Sequence, residues 1–218
     1  MFGIDIYRFE GSEPIKVTVG AEGGQKTWYL PKKVLTHCSP FFDAALNGSF
    51  VEASSKAVNL PEDDPLAFEI WTTWLSLGKC QGLFEFSSFD HAYVRAWILG
   101  DKLACPAFKD HVMFQFIHWF DSAVEIWPDL VHTVYEVCPP GSKLRRLFVD
   151  WYVWDKLRGR LAERALEFIT LLKELPEFLE DVVTREVMAG TEITDCALEK
   201  RHQYYENPAF KPDAWDWE

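Results

Sequence analysis

Apolar and polar positions alternate only near the start of the chain. Ile15, Val17 and Val19 alternate with Lys16 and Thr18, the period of a half-buried strand. Glu22-Gly23-Gly24-Gln25 supplies turn chemistry, and Thr27-Trp28-Tyr29-Leu30 follows as a second strand-forming run. The pattern predicts a β-hairpin. Ile4, Ile6 and Phe9, with Asp5 and Arg8 between them, predict a short strand ahead of it.

The period then lengthens. Ser39-Pro40 is an N-cap with a first-turn proline, Phe41, Phe42, Ala45 and Leu46 form the apolar face of a short helix, and Asn47-Gly48 ends it. Ala57-Val58-Asn59-Leu60 reads as a brief strand stopped by Pro61. Asp64-Pro65 opens a helix with Phe68, Ile70, Trp71, Trp74 and Leu75 on its apolar stripe and Gly78 past its end. Trp28, Leu35, Phe42, Ile70, Trp71 and Trp74 are the expected core of this half.

From residue 88 to about 200 the periodicity is helical throughout, in segments near 90–104, 107–120, 128–137, 142–158, 160–174 and 177–189. In the fourth, Leu144, Leu147, Phe148, Trp151, Trp154 and Leu157 recur at spacings of three and four. Strands come first and helices after, which predicts an α+β half followed by an all-α half. Residues 206–218 read as a flexible tail. No repeat of 20–50 residues is visible.

Composition narrows the class. The chain has 218 residues, 48% hydrophobic and 16% aromatic, enough to fold around a sizeable core. Its formal charge of −12 excludes a phosphate-neutralising surface as the default, so nucleic acid is not an expected direct partner. The acidity is concentrated in residues 161–218, which carry −8 of the total. Five widely spaced cysteines, an odd number without a CxxC pair, predict a reducing compartment. The N-terminus lacks a basic region followed by an apolar one, and no apolar run reaches the roughly 18 residues of a membrane helix. The expectation is an intracellular protein, cytoplasmic or nuclear, with no membrane partner. Asn47-Gly48-Ser49 is then a chance glycosylation sequon.

Catalytic signatures are missing. Gly78-Lys79 is followed by Cys80, which breaks a phosphate-cradling loop, and there is no GxSxG, HExxH or kinase set. His111 and His118, seven apart, share a helix face but lack the further ligands of a zinc site. His37 and Cys38 are adjacent, and neighbours on a helix do not face each other, so Cys38 reads as structural rather than nucleophilic. Lys143, Arg145 and Arg146 read as a solvated helix face, with contact to an acidic partner as the alternative. The ten tryptophans fall on apolar stripes, which favours core packing over carbohydrate stacking. The expectation is a protein that is not an enzyme and binds neither metal nor organic cofactor.

Residues 15–78 resemble a BTB/POZ domain. The stretch Val17-Thr18-Val19-Gly20, then Trp28-Tyr29-Leu30-Pro31-Lys32-Lys33-Val34-Leu35 and Ser39-Pro40-Phe41-Phe42, follows that family's pattern of a strand, a His-Lys pair, two leucine-like residues and Ser-x-Phe. Ala44-Ala45-Leu46-Asn47-Gly48-Ser49-Phe50-Val51-Glu52 resembles the loop after the family's second helix. Leu60-Pro61-Glu62-Asp63-Asp64-Pro65 through Gly78 is similar to its strand, acidic turn and helix, most like the fungal branch. Gly100-Asp101-Lys102-Leu103-Ala104-Cys105 with Phe108 and Val112-Met113 resembles its last two helices, so the likeness spans about residues 11–120 and implies a BTB/POZ-like domain over 1–120 followed by a helical extension over 121–205. Two positions depart: Pro31 stands where the family has His, and Glu13-Pro14 where an Asp is common. Both belong to the charged pocket of many dimeric members.

The resemblance implies a protein-interaction scaffold, with adaptor of a cullin-based ubiquitin ligase as its most specific form. The alternatives are a transcription or chromatin regulator acting through partners and an enzyme of unrecognised class. It implies a homodimer in which an N-terminal strand containing Ile4 and Ile6 pairs across subunits. It also implies a cullin-docking motif at Phe50-Val51-Glu52, where Phe50 anchors the partner and Glu52 fixes the register. In the competing reading Phe50 closes the domain's own core and Glu52 is solvated.

Overall fold

The structure, a computed structural model, describes residues 11–78, 90–121, 127–157, 159–189 and 201–211. The strand expected around Ile4 and Ile6 lies outside them. Mixed α+β architecture is present, with the strands early and helices after. The chain divides into two compact units, Met1–Val112 with Lys211–Glu218, and Met113–Phe210.

In the first unit, β1 (Pro14–Val19) and β2 (Lys26–Pro31) form the expected antiparallel hairpin, with Val17 opposite Trp28. β3 (Ala57–Leu60) pairs in parallel with the other edge of β1, Val17 opposite Val58, so the sheet order is β2-β1-β3. Alternation decides the covered face: Ile15, Val17, Val19, Val58 and Leu60 are buried, while Lys16 and Asn59 are exposed. Trp28 departs from expectation in being only half-buried, its ring against Phe68 at 4.9 Å; β2 is an outer strand of the sheet.

The helices of this unit are α1 (Lys32–Cys38), α2 (Pro40–Asn47), α3 (Val51–Ser55), α4 (Pro65–Leu77), α5 (Asp90–Lys102) and the first half of α6 (Pro106–Asp121). Ser39 caps α2 by accepting from the Phe42 amide at 3.3 Å, and its hydroxyl donates to the Leu103 carbonyl at 2.7 Å. One side chain thereby joins the start of α2 to the end of α5. Asp64 caps α4 by accepting from the Leu66 amide at 2.7 Å, and Gly78 closes that helix at φ +73°, where a side chain would be strained. Trp71 is fully buried between Phe42, centroids 5.6 Å apart, and Phe68, at 5.2 Å. Leu35, Ile70 and Trp74 complete the expected core.

The second unit holds the rest of α6 with α7 (Pro128–Val137), α8 (Lys143–Leu157), α9 (Ala165–Glu174) and α10 (Pro176–Ala189). Phe120 stacks on Trp151 at 4.4 Å, and Phe178 meets both Tyr135 and Tyr152. Residues 159–164 are turns rather than the expected start of α9. Gly159 takes φ +72° and the Arg160 amide returns to the Asp155 carbonyl, which stops α8 and delays the next helix. Residues 203–205 lie against α8: Tyr204 donates to the buried Asp150 carboxylate at 2.6 Å, Lys143 donates to the Tyr205 carbonyl, and Arg146 donates to Gln203 at 2.9 Å. Phe210 packs on Tyr205. No helix among the described residues is long and apolar enough to cross a membrane.

Candidate protein-docking site

The sequence Phe50-Val51-Glu52 sits at the start of α3, where the structure replaces the expected loop with a five-residue helix. The helix is fixed at both ends. At its front, Gly48 closes α2 through its amide to the Ala44 carbonyl at 3.0 Å, and a Cβ there would collide with that carbonyl oxygen and crowd the Phe50 ring. At its back, Lys56 adopts a left-handed conformation at φ +56° and its amide caps the helix on the Glu52 carbonyl. The Lys56 carbonyl then accepts from the Lys16 amide at 3.1 Å, and its ammonium pairs with Glu13, so the end of α3 is tied to the start of β1.

This anchoring leaves two large apolar side chains outside. Phe50 is 61% exposed and Val51 71% exposed, beside a half-buried Glu52. Phe50 therefore does not close the core of its unit. An exposed aromatic next to an aliphatic, with a carboxylate two residues on, is a surface on which a partner can bury apolar area while a charge sets its register.

The departures from the family pattern are adjacent in space. Pro14 and Pro31 are partners at the open end of the hairpin, the Lys32 amide donates to the Glu13 carbonyl at 2.8 Å, and the Glu13 carboxylate is engaged by Lys56.

The other chemistry-bearing residues have structural surroundings. Burial pushes the Cys38 thiol up to about 12, with the nearby Cys105 adding to the effect, so Cys38 holds its proton at neutral pH. His37 is exposed where Cys38 is half-buried, as expected of helix neighbours. Burial raises the Cys105 thiol as well. His111 packs on Trp74 and its Nδ1 lies 2.9 Å from the Ala107 carbonyl; His118 stacks on Phe114. Among the described residues no group of three or more His, Cys, Asp or Glu is placed to hold a metal ion.

Within the basic cluster Arg146 is exposed, as expected of a solvated face, Lys143 is half-buried, and Arg145 departs from the expectation. Arg145 is only 5% exposed, donating to Glu177 at 2.7 Å and to the Tyr135 carbonyl at 2.7 Å, with its guanidinium over the Tyr135 ring. Lys143 is engaged by Tyr205 and Glu206, and Arg146 by Gln203. Lys143 and Arg146 thus meet residues 203–206, and Arg145 joins α7 to α10.

No protein-family model matches the chain, and no curated protein sequence matches it.

Proposed function

We propose that the chain is a protein-interaction scaffold of BTB/POZ type, acting as an adaptor that presents α3 to a cullin scaffold. The observation that carries the reading is the exposure of Phe50 and Val51 beside Glu52 on a helix anchored at both ends. The three-stranded sheet with α1 to α5 and the first half of α6, all within the first unit, supports it. In this reading the protein is not an enzyme, needs no cofactor, works in the cytoplasm or nucleus and self-associates. The raised Cys38 thiol agrees with a non-catalytic role.

The test compares wild type with Phe50→Ala and Glu52→Ala for binding to purified cullins and for melting temperature. Truncating an aromatic anchor costs on the order of 2 kcal/mol, about thirtyfold in affinity. Weaker binding at unchanged melting supports the adaptor. Absence of wild-type binding to every cullin refutes it and leaves a scaffold of another kind.

A further inference from the structure

A groove of about 670 Å3 runs between α7 and α9 in the second unit, with no role in the α3 surface. We propose that it docks a short segment of a partner protein presenting a lysine or arginine beside an apolar residue.

Its apolar part is conspicuous in this chain. Trp71, Trp74, Trp97, Trp151 and Trp154 are buried, yet Trp127 at the mouth of the groove is 53% exposed. Leu166, which α9 contributes, is 81% exposed, and the buried Leu171 of the same helix also lines the groove. Trp127 is held in place rather than loose. The Arg164 guanidinium lies 5.2 Å from its ring and 5.6 Å from that of Phe168.

The polar part is acidic. Among the described residues, Asp129, Glu167 and Glu174 line the groove against one guanidinium, Arg164, and one imidazole, His132. Arg164 is committed to Glu167 through both Nε, at 3.0 Å, and Nη2, at 2.6 Å. The carboxylates left to face a ligand are Asp129 and Glu174, the latter 3.5 Å from His132 Nε2 with its side chain 60% exposed. Their positions differ in one respect. Asp129 is in the first turn of α7, where the helix dipole favours an anion. Glu174 ends α9, where the dipole disfavours one, so an incoming cation there relieves a repulsion as well as forming an ion pair.

A volume of this size suits a few side chains of an extended or helical segment, not a folded domain. The complementary segment places its cation at Glu174 and Asp129 and its apolar neighbour on Trp127 and Leu166. A second copy of this chain is a poorer occupant, because both copies carry −12.

The full-length protein is titrated by fluorescence anisotropy into a labelled peptide of repeated Leu-Lys-Lys and into a matched Leu-Glu-Glu peptide. Saturable binding of the first and none of the second is expected. Glu174→Lys and Trp127→Ala should each weaken binding about tenfold, and Glu62→Lys, an exposed charge reversal in the other unit, should leave it unchanged. Circular dichroism checks that each variant is folded; Glu174→Lys changes only an exposed side chain and keeps the test valid if Trp127→Ala unfolds. Equal loss in Glu62→Lys means general acidity and overturns the proposal, as does equal binding of the acidic peptide or an unaffected Glu174→Lys. Should wild type dimerise and Trp127→Ala restore the monomer, the groove is occupied by a second copy and the proposed partner is wrong.

Discussion

Replacing Asp150 by alanine tests whether the C-terminal turn is part of the second unit's stability. The Asp150 side chain is 4% exposed and accepts from Tyr204 at 2.6 Å and from Arg185, with Arg146 Nε 3.9 Å away. Hydrogen bonds to a charged group contribute about 1.5–3 kcal/mol each, and removing one partner of a buried ion pair costs about 3–5 kcal/mol. Arg185 is one-third exposed and can rehydrate, whereas the buried Tyr204 hydroxyl cannot. Asp150→Ala should therefore destabilise by about 3–5 kcal/mol, and Tyr204→Phe by about 1.5–3 kcal/mol because Asp150 keeps its arginine. The double variant should cost less than the sum, since Tyr204→Phe removes the hydroxyl that Asp150→Ala strands. Urea unfolding followed by circular dichroism gives the energies, and trypsin cleavage after Arg201 reports release of the turn. A loss under about 1 kcal/mol for Asp150→Ala, or unchanged cleavage, would show that the contacts at Asp150 hold nothing in place.

Trp71→Ala, which empties a fully buried site between Phe42 and Phe68, should cost about 3–5 kcal/mol; unchanged melting would refute its place in the core. Burial, reinforced by Asp181 and Asp150, raises the pKa values of Tyr135 and Tyr204 above the ordinary 10.0. Between that value and the folded pKa only the unfolded chain loses the proton. Stability should be level below about pH 9 and fall as pH rises, by up to about 1.4 kcal/mol per pH unit for each tyrosine, and Tyr204→Phe should flatten the decline in a pH series of urea midpoints. If the proposed scaffold self-associates, light scattering at micromolar concentration should give about twice 25.3 kDa, and the monomer mass would refute it.

Legibility in the sequence followed the strength of local signals. The hairpin, α2, β3 and α4 were readable because alternation, Ser39-Pro40, Asp64-Pro65 and Gly78 each act within a few residues. The bounds of α1 were not: its seven residues follow directly on a strand, with no acidic first turn and no capping side chain. α3 was hidden by Gly48-Ser49 and Ala53-Ser54-Ser55, whose turn preference is overridden by the anchoring of Lys56 to β1. The parallel pairing of β1 with β3 leaves no local trace, because either strand reads the same whichever neighbour it has. Phe50 and Glu52 could be named from the resemblance, but the exposure of Phe50 could not, since a phenylalanine suits a core equally well. The network at Asp150 joins residues 35 and 54 positions away, and the groove at Trp127 joins α7 to α9. Neither has a periodic signature.

β1 is central in its sheet although it precedes both of its partners in the chain. On the ribosome, β2 follows after a short turn, but β3 arrives about 40 residues later. At roughly 5–20 residues per second, the far edge of β1 stays open for about 2–8 seconds. During that interval a row of unpaired amides and carbonyls borders Ile15, Val17 and Val19, a template for pairing with a neighbouring nascent chain. The pace of synthesis through α1, α2 and α3 sets how long that edge waits for its partner, a quantity that the stability of the finished sheet does not report.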